Sequence, residues 1–298
     1  MTHAAKGVRA GVLGMAGALA CTSLVACGSG TGKEPGSTGS SGAANGAGQS
    51  SGAADGGTAA VRSASDRTTD AGTARMVLRT QVTTQGKTVS ADGQGVIDLK
   101  NGTSTMTLSA EGEKIEQRVV DQVLYQKLPP GAREGVPGKK PWIKMDLRKL
   151  GAQTGGTNPS AGDPAANTAF ARGVMDKDVH KVGTEKIGDA NTTHYKVKVD
   201  VAKLKGGAEL RKVVGPTLPM DLWIDDQGRI RRQQVDMTMT PPKGQGADSS
   251  TPKKITSRTV FELSDFGTKV TAEAPPAAET ADMTAKAAQQ AQQGKQQG

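Results

Sequence analysis

Alternation of apolar and polar residues is the feature that most constrains the fold of this chain. It runs from about residue 74 to residue 128, and in the stretch ARMVLRTQVTT it places Met76, Leu78 and Val82 on one side. Arginine and glutamine occupy the other side. Because successive side chains of a strand point to opposite faces, a period of two predicts half-buried β-strands in this region.

Turn-forming dipeptides separate these runs. Asp92-Gly93, Asn101-Gly102 and Glu111-Gly112 stand at the predicted joints. An Asn-Gly pair between alternating runs is a strong hairpin signal, because both central residues of a type I′ turn need a positive φ. The first half of the folded region is therefore predicted to be an antiparallel meander.

Further strands are predicted in the second half. A short strand begins at Trp142, a hairpin turns at residues 225–228, and a last strand ends near residue 267. The residues that alternation places on one face of each later strand are Tyr195, Val197 and Val199, and then Val235, Met237 and Met239.

Two helix signals interrupt these strands. Asp163-Pro164 supplies an N-cap with proline at the first helical position, and the helix is predicted to run to about Met175. Asp200 caps a second candidate, which Gly215-Pro216 ends. The residues that would share the apolar stripe of the first helix are Ala166, Phe170 and Val174. About ten strands and two or three helices, segregated along the chain, predict an α+β fold with a large antiparallel sheet.

The first 26 residues have the three parts of a bacterial secretion signal. Lys6 and Arg9 supply a positive n-region, and residues 11–20 are uncharged and mostly apolar. Leu24-Val25-Ala26-Cys27 then resembles the bacterial lipobox, which has a large aliphatic residue three positions before a lipidated cysteine and a small residue immediately before it. We therefore expect cleavage before Cys27 and attachment of a diacylglyceryl group to its thiolate. Two or three acyl chains, at about 0.8 kcal/mol per buried methylene, would hold the chain on the cell membrane at its extracytoplasmic face.

Two alternatives to this anchor stay open. Ala18-Leu19-Ala20-Cys21 offers a competing lipidation site, although alanine three positions before the cysteine is the weaker choice. Residues 10–26 could instead form a transmembrane helix, at the short end of the length that a bilayer requires. Cys21 and Cys27 are the two cysteines of the chain. The folded part is therefore expected to lack disulfides and thiolate metal sites.

Composition divides the remainder into three segments. Residues 27–58 are mostly Gly, Ser and Ala, which predicts a flexible tether, since such a segment buries too little apolar surface to offset its ordering entropy. Residues 59–272 are expected to form one domain. Residues 273–298 are rich in Ala and Gln and are predicted to be a disordered tail, with a weak helical tendency after Thr280.

Charge and motif content narrow the function classes. The formal charge of +9 is spread along the chain, which favours an ordinary solvated surface, with attraction to anionic lipid headgroups or wall polymers as the alternative. A basic motif interleaved with aromatics, typical of nucleic-acid binding, is absent. His180 and His194 follow the signal without a metal-ligand spacing, and no G-x-S-x-G elbow for a serine nucleophile occurs in residues 59–272. We predict no enzyme, no metal, no cofactor, no nucleic-acid partner, and a monomer.

Methionines recur on the predicted inward faces of strands, at Met76, Met106, Met237 and Met239. Methionine is flexible and polarizable, and surfaces that accept varied apolar ligands over-use it. Aromatic residues make up only 2% of the chain, so these methionines could equally fill a core that is poor in aromatics. Periodicity by itself favours the core.

Three stretches carry a resemblance to a known family: VVDQVLYQKLPPG…KKPWIKMDL, VGTEKIGDANTTHYKVKVD and LPMDLWIDDQGRIRRQQVDM, in that order. They resemble the actinobacterial lipoproteins of the LppX/LprG type, within the wider superfamily of LolA/LolB-like carriers. The resemblance covers about residues 60–267. It implies a half-barrel, in which one curved antiparallel sheet wraps around two or three helices and leaves an apolar cavity between sheet and helices.

Members of this family bind acylated lipids or lipopeptide chains in the cavity and are implicated in moving them across the envelope. The resemblance therefore implies a lipid or acyl chain as ligand, and it makes the inward faces candidate cavity wall. The alternative is the same fold with a collapsed core, acting as a sensor or as a scaffold for an envelope enzyme. An envelope hydrolase is a third interpretation, which no catalytic motif supports. The candidate cavity residues are Met76, Leu78, Met106, Leu108, Trp142, Phe170, Val174, Tyr195, Val197, Trp223, Val235, Met237 and Met239.

Overall fold

The computed structural model describes residues 51–153, 174–204, 207, 211, 214–239 and 254–296. The predicted signal, Cys27, Phe170, the polar segment 241–252 and most of the helix predicted from Asp163 lie outside these residues. Within the described ranges the chain forms twelve strands, all in one sheet. Three helices accompany them: α1 (Ser51–Asp70), α2 (Leu147–Gln153) and α3 (Thr284–Gln296).

Most of the twelve strands lie where the alternation predicts them, whereas β12 falls in the predicted tail and β7 begins in the predicted helix. Their bounds are β1 (Thr73–Thr84), β2 (Lys87–Asp98), β3 (Ser104–Ala110), β4 (Glu113–Val120), β5 (Val123–Lys127), β6 (Trp142–Asp146), β7 (Val174–Ile187), β8 (Ala190–Asp200), β9 (Thr217–Asp225), β10 (Ile230–Met239), β11 (Ile255–Ser264) and β12 (Thr280–Asp282).

The sheet order is β12-β6-β5-β4-β3-β2-β1-β11-β10-β9-β8-β7. Every neighbouring pair is antiparallel except β12 and β6, which are parallel. Two meanders, β1 to β6 and β7 to β11, therefore share one continuous sheet, and β1 pairs with β11 where they join. The predicted fold class, α+β with a large antiparallel sheet, is confirmed.

Only some of the predicted turn dipeptides form the tight turns of the sheet. Glu111 and Gly112 have φ of 50° and 83° and close the predicted two-residue hairpin between β3 and β4. Asp121 and Gln122, with φ of 50° and 61°, divide what the alternation predicts as one strand into β4 and β5. Asn101-Gly102 lies in a longer connection, in which the Asp98 carboxylate accepts the Lys100 and Asn101 N–H groups at 2.9 and 3.1 Å.

The turn predicted at Asp92-Gly93 is wrong, because both residues lie inside β2. The hairpin between β1 and β2 turns instead at Gln85-Gly86, where φ is 49° and 76°. Gly93 serves packing: a Cβ there would lie 2.8 Å from the Leu108 side chain and 2.9 Å from the Met106 sulfur. The neighbouring strand thus fills the space that a side chain would need.

Helix α1 begins at Ser51, within the segment predicted as tether, and packs against β7, β9 and β10. Its buried face carries Val61, Ala64, Ser65 and Thr68, each 0–1% exposed. Small side chains let the helix approach the sheet closely. Because Val61 is the only large apolar residue in α1, hydrophobic periodicity does not reveal the helix.

The two predicted helices differ in outcome. Val174 and Met175, the predicted end of the first, lie in β7 instead, because Val174 pairs with Val199 in the sheet and is 2% exposed. In the second, the Asp200 carboxylate accepts the Ala202 N–H at 3.0 Å and begins a 3₁₀ turn. Residues 207, 211 and 214 are helical, and Gly215, with φ of 88°, ends the segment as predicted.

The C-terminal segment differs from the disordered tail expected from composition. β12 pairs with β6, and α3 packs against α2 and β6. Ala281 and Ala288 are 5% and 4% exposed, so small side chains again form the contact. This segment covers the outermost long strand of the first meander and leaves a three-residue strand at that edge of the sheet.

Candidate functional site

One face of the sheet, which we call the inner face, carries the apolar side chains and is covered by α1 at one end. Pairing along the sheet places side chains in rows across the strands, since residues opposite each other share a face. One row reads Leu263, Met76, Gly95, Met106, Gln117, Gln126 and Ile143. A second reads Leu222, Gln233, Phe261, Leu78, Gly93, Leu108 and Ile115.

Beneath α1 the inner face is tightly packed. Val61 and Ala64 of the helix contact the strands β7 to β10. Gly57 lies over Tyr195, because a Cβ there would stand 3.3 Å from the ring. The other buried members of this cluster are Val174, Val179, Val197, Val199, Val201, Leu218, Met220, Leu222, Ile224, Ile230 and Val235.

The middle of the inner face has a different character. Half-buried apolar side chains line it on β1 to β4, and we call them the central inner strip: Leu78, Val82, Val89, Leu108 and Ile115. The principal helix contacts of the described chain fall to either side, with α1 on β7, β9 and β10 and with α2 and α3 on β5 and β6. Among the described residues, the strip is therefore the part of the inner face on which apolar side chains stay half-buried outside the principal helix contacts.

The four methionines that the alternation assigns inward all face this side of the sheet. Met76 and Met106 are 0% and 6% exposed and belong to a cluster with Ile97, Phe261 and Leu263. Met239 is 7% exposed, and Met237 is half-buried at the border of the packed cluster under α1. The structure thus brings these methionines beside the central inner strip, together with Leu78 and Leu108.

Trp142 does not belong to this face. It pairs with Lys127, which in turn pairs with Glu116, so its indole lies on the opposite, outer face. The Arg118 guanidinium lies 4.9 Å and the Lys127 ammonium 5.8 Å from the ring centroid. Trp142 is 4% exposed because these cationic side chains cover it, and assigning it to a cavity wall is wrong.

Trp223 also lies on the outer face, contrary to the expectation. Its indole stacks on the His194 imidazole, with ring centroids 4.3 Å apart and planes 8° from parallel. The Trp223 N–H donates to Glu185, and the Arg232 guanidinium stands 5.3 Å from the ring. His194 Nε2 lies 2.6 Å from Asp221 Oδ1. The His194 side chain is 13% exposed, so this cluster is a set of satisfied contacts on the outer face and not a solvated surface histidine.

Three buried glutamines on the inner face escaped sequence reasoning. Gln117, Gln126 and Gln233 are 2%, 6% and 3% exposed. They stand in the same rows as Met106, Leu222 and Phe261, so strand parity could have placed them inward. Among the described residues, Gln233 Oε1 is buried without a hydrogen-bond partner. The inner face is therefore apolar, with a few buried polar side chains.

Chemistry beyond packing is not evident in the described ranges. They hold no group of three or more His, Cys, Asp or Glu side chains that could bind a metal ion. None of the helices that the structure describes combines the length and apolar character needed to cross a bilayer. The expectations of no enzyme activity, no cofactor and a monomer stay predictions.

The fold and this face define an α+β protein with a single large sheet, apolar on one side and charged on the other. No family model matches the chain. A candidate lipoprotein of Streptomyces coelicolor is 28% identical to it over 244 residues, which are 75% of this chain and 74% of that protein.

Solved structures are also similar. The crystal structure of the lipoprotein LppX of Mycobacterium tuberculosis matches 75% of this chain and 100% of its own, with 15% identity and a TM-score of 0.47. A LolA superfamily protein of Nitrosomonas europaea matches 70% of this chain and 91% of its own, with 11% identity and a TM-score of 0.29. The resemblance to LppX-type and LolA-like proteins that the sequence indicates is found again in these comparisons.

Proposed function

We propose that this protein is an envelope lipoprotein, anchored through Cys27, that binds a lipid or acyl chain on the inner face of its sheet. The observation that carries the proposal is the central inner strip, in which apolar side chains stay half-buried in the middle of an otherwise packed face. Apolar area removed from water contributes about 25 cal/mol per Å², so an acyl chain laid along the strip would gain from every methylene it buries.

The side chains bordering the strip suit a ligand of variable shape. Met76, Met106 and Met237 lie on the inner face beside Leu78 and Leu108. Methionine adapts its three side-chain torsions to irregular apolar surfaces. The rows also lack a carboxylate beside the strip except Glu113 at its end, so a neutral hydrocarbon meets no unpaired charge along most of its path. These features support an acyl chain over a charged small molecule.

A charge on the inner face tests this proposal. Met237→Arg puts a guanidinium on the inner face, in the row that Met237 shares with Ser257 and Val82, where hydrocarbon would lie. Thr238→Arg is the matched control, since it adds the same charge to the neighbouring, exposed position of the same strand. The full chain, with both cysteines changed to serine, would be purified from two expression hosts and analysed by native mass spectrometry and organic extraction.

Co-purified lipid in the parent and in Thr238→Arg, but at least about tenfold less in Met237→Arg, is the expected result, because burying an unpaired charge is costly. Thermal unfolding would verify that both variants fold. Lipid-free parent protein from both hosts would refute the proposal. Lipid retained equally by Met237→Arg would place the ligand elsewhere.

Tryptophan fluorescence provides a second, independent readout. Trp142 and Trp223, the only tryptophans, lie on the outer face, so an acyl chain on the inner face is separated from both by the sheet. A brominated fatty acid bound to the parent chain should leave their emission nearly unquenched. Introducing Leu108→Trp in the central inner strip should produce strong quenching, and its absence would contradict the assigned site.

The anchor is tested separately. The relative from Streptomyces coelicolor is described as a candidate lipoprotein, which supports the lipobox at Cys27. Cys27→Ala should abolish metabolic labelling with a palmitate analogue and leave the signal uncleaved, whereas Cys21→Ala should label normally. Unchanged labelling of Cys27→Ala would assign the anchor to Cys21.

A further inference from the structure

The outer face of the sheet pairs most of its cations with acids. Within the described chain, six basic side chains spread over this face lie 2.7–3.4 Å from a carboxylate. They are Arg75, Arg79, Arg232, Arg258, Lys144 and Lys196. Such pairs leave little net charge for a ligand, because each cation already faces an opposite charge.

One corner of the outer face departs from this pattern. Where β3, β4 and β5 meet the segment that follows β5, a depression of about 390 Å³ opens to solvent. We call it the basic depression; its lining residues are Thr107, Lys114, Glu116, Lys127, Leu128, Pro129, Pro130 and Arg133. It lies on the opposite side of the sheet from the central inner strip.

The basic depression has an excess of positive charge. Its one carboxylate, Glu116, is held by Arg118, whose Nε donates to Glu116 Oε1 at 2.9 Å. Lys127 Nζ is 4.0 Å from the same carboxylate. Among the described residues, neither Lys114 nor Arg133 has a carboxylate partner, and Arg133 Nε donates only to the Leu128 carbonyl at 3.0 Å. Three cations therefore converge on a space in which the only acid is already paired.

Apolar surface borders these cations. Pro130 is exposed and Pro129 is half-buried, and both line the depression next to Lys127 and Arg133. Binding at a membrane interface requires cations that attract lipid phosphates. It also requires apolar side chains that can contact the boundary between headgroups and acyl chains. A soluble polyanion would gain nothing from the prolines.

We propose that the basic depression binds the phosphate headgroup of an anionic phospholipid and orients the domain with this corner of its outer face against the membrane. Lys114, Lys127 and Arg133 supply the charge, and Pro129 and Pro130 contact the boundary between headgroups and acyl chains. This site does not depend on the acyl chain proposed for the inner face, since the sheet separates the two.

The test is co-sedimentation of the full chain, with Cys21 and Cys27 changed to serine, with vesicles of phosphatidylcholine alone or mixed with phosphatidylglycerol. Binding should require phosphatidylglycerol and weaken as salt rises. Each cation near an anionic surface contributes about 1 kcal/mol, so Lys114→Gln should weaken binding about fivefold and Lys114→Gln/Arg133→Gln about 25-fold. Lys114→Gln replaces an exposed side chain and should therefore fold normally. It keeps the proposal testable even if the double variant does not fold.

Lys196→Gln/Arg258→Gln is the charge-matched control, because it removes two exposed outer-face cations that are paired with Asp221 and Asp236. It should weaken binding no more than about twofold, since paired surface charges contribute little. If both double variants lost vesicle binding equally, net charge would explain the effect, and the proposed site would be overturned. Equal binding to both vesicle types would do the same.

Competition with inorganic phosphate distinguishes the two possible sources of the ligand, a phospholipid headgroup and free phosphate. At matched ionic strength, phosphate should release the chain from vesicles more effectively than chloride, because it competes for the same three cations. Equal release by the two salts would overturn a phosphate site. Binding of free phosphate by a chain that does not bind phosphatidylglycerol vesicles would overturn the lipid as its source.

Discussion

The two faces of the sheet hold side chains that are neighbours in sequence and yet lie in opposite environments. On β9, Leu222 is fully buried under the packed cluster, whereas Asp221, one residue away, bonds to His194 and Lys196 on the outer face. On β10, Gln233 faces inward and Arg232 pairs with Glu262 on the outside at 2.7 Å. The sheet is thus a boundary between a surface organised by apolar burial and one organised by charge pairing.

Tryptophan does not mark the apolar side of this sheet. Both tryptophans lie outside, where Arg118 and Arg232 stand over their rings. Phe266, which packs against the inner-face cluster of Met76 and Phe261, also has a cation over its ring, with the Arg229 guanidinium 4.2 Å from the centroid. Cation–π contacts of this kind contribute about 0.5–1 kcal/mol each at exposed sites, so the tryptophans stabilise the charged face. The inner face is formed mainly by aliphatic and methionine side chains, with Phe261 and Tyr195 among them.

The two faces should differ most in how much a single substitution lowers the free energy of unfolding. Leu222→Ala removes a side chain that is 0% exposed beneath α1 and should lower the free energy of unfolding by about 3 kcal/mol. Arg258→Gln breaks a 2.7 Å ion pair on the outer face, and its cost should stay below about 1 kcal/mol, since both partners are solvent-accessible. Urea unfolding measures both values. Equal losses would mean that the outer charges hold the sheet together.

The contact between α1 and the sheet should be the next most sensitive. Thr68 Oγ1 accepts the Ile230 N–H at 2.8 Å and donates to the Ala64 carbonyl at 2.6 Å, entirely buried. Thr68→Val keeps the shape but leaves that N–H without an acceptor, and should cost about 2 kcal/mol.

Thr69→Val is the control, because the Thr69 hydroxyl bonds only within the helix, to the Ser65 carbonyl. Its expected cost is about 0.5 kcal/mol or less. Hydrogen exchange at Ile230 should also accelerate in Thr68→Val and not in Thr69→Val. Unchanged exchange at that amide would show that the helix and strand separate without losing this bond.

The smallest effect is expected at the edge of the sheet, where Asp146 caps α2. The Lys149 and Arg148 N–H groups donate to Asp146 Oδ1 at 3.1 and 3.0 Å. The backbone bond from Lys149 comes first among the causes that lower the pKa of this carboxyl, followed by the charge of Arg148 and its backbone bond, against a smaller opposing effect of burial. Asp146→Ala should cost about 1 kcal/mol at neutral pH.

The pH dependence follows from the direction of that shift. A carboxyl whose folded pKa lies below its ordinary value of 3.8 stabilises the fold above that value and loses the contribution as pH falls through the folded pKa. The cost of Asp146→Ala should therefore shrink on acidification from neutral pH to well below 3.8. Asp146→Asn keeps an acceptor without the charge and should lose less at neutral pH. A cost for Asp146→Ala that is independent of pH would contradict the charged cap.

Much of the fold follows from local pattern. The period of two places Met76, Met106, Met237 and Met239 on one face, and the structure agrees. The same parity could have excluded the tryptophans from that face. In WIKMD, Ile143 and Met145 alternate with Trp142, and in LPMDLWID, Leu222 and Ile224 alternate with Trp223. Treating tryptophan as apolar by residue type overrode a positional signal that was already present.

The elements at both ends of the domain could not be found in this way. Helix α1 presents Ala64, Ser65 and Thr68 to the sheet, and β12 with α3 presents Ala281 and Ala288. Small residues carry almost no hydrophobic periodicity, so their burial depends on a partner surface that comes from distant parts of the chain. Ile230, whose N–H donates to the Thr68 hydroxyl, is 162 residues away from it.

Local sequence pattern accounts for most of the strands, their two faces, the methionines of the inner face and the residues that resemble a lipobox, because each depends on neighbours within a few positions. Other features appear only in the folded chain: β11 joins the two meanders, α1 and the C-terminal segment cover the ends of the sheet, and Lys114, Lys127 and Arg133 converge. Those features depend on pairing between residues far apart in the chain, where the gain comes from matching surfaces that no local pattern describes.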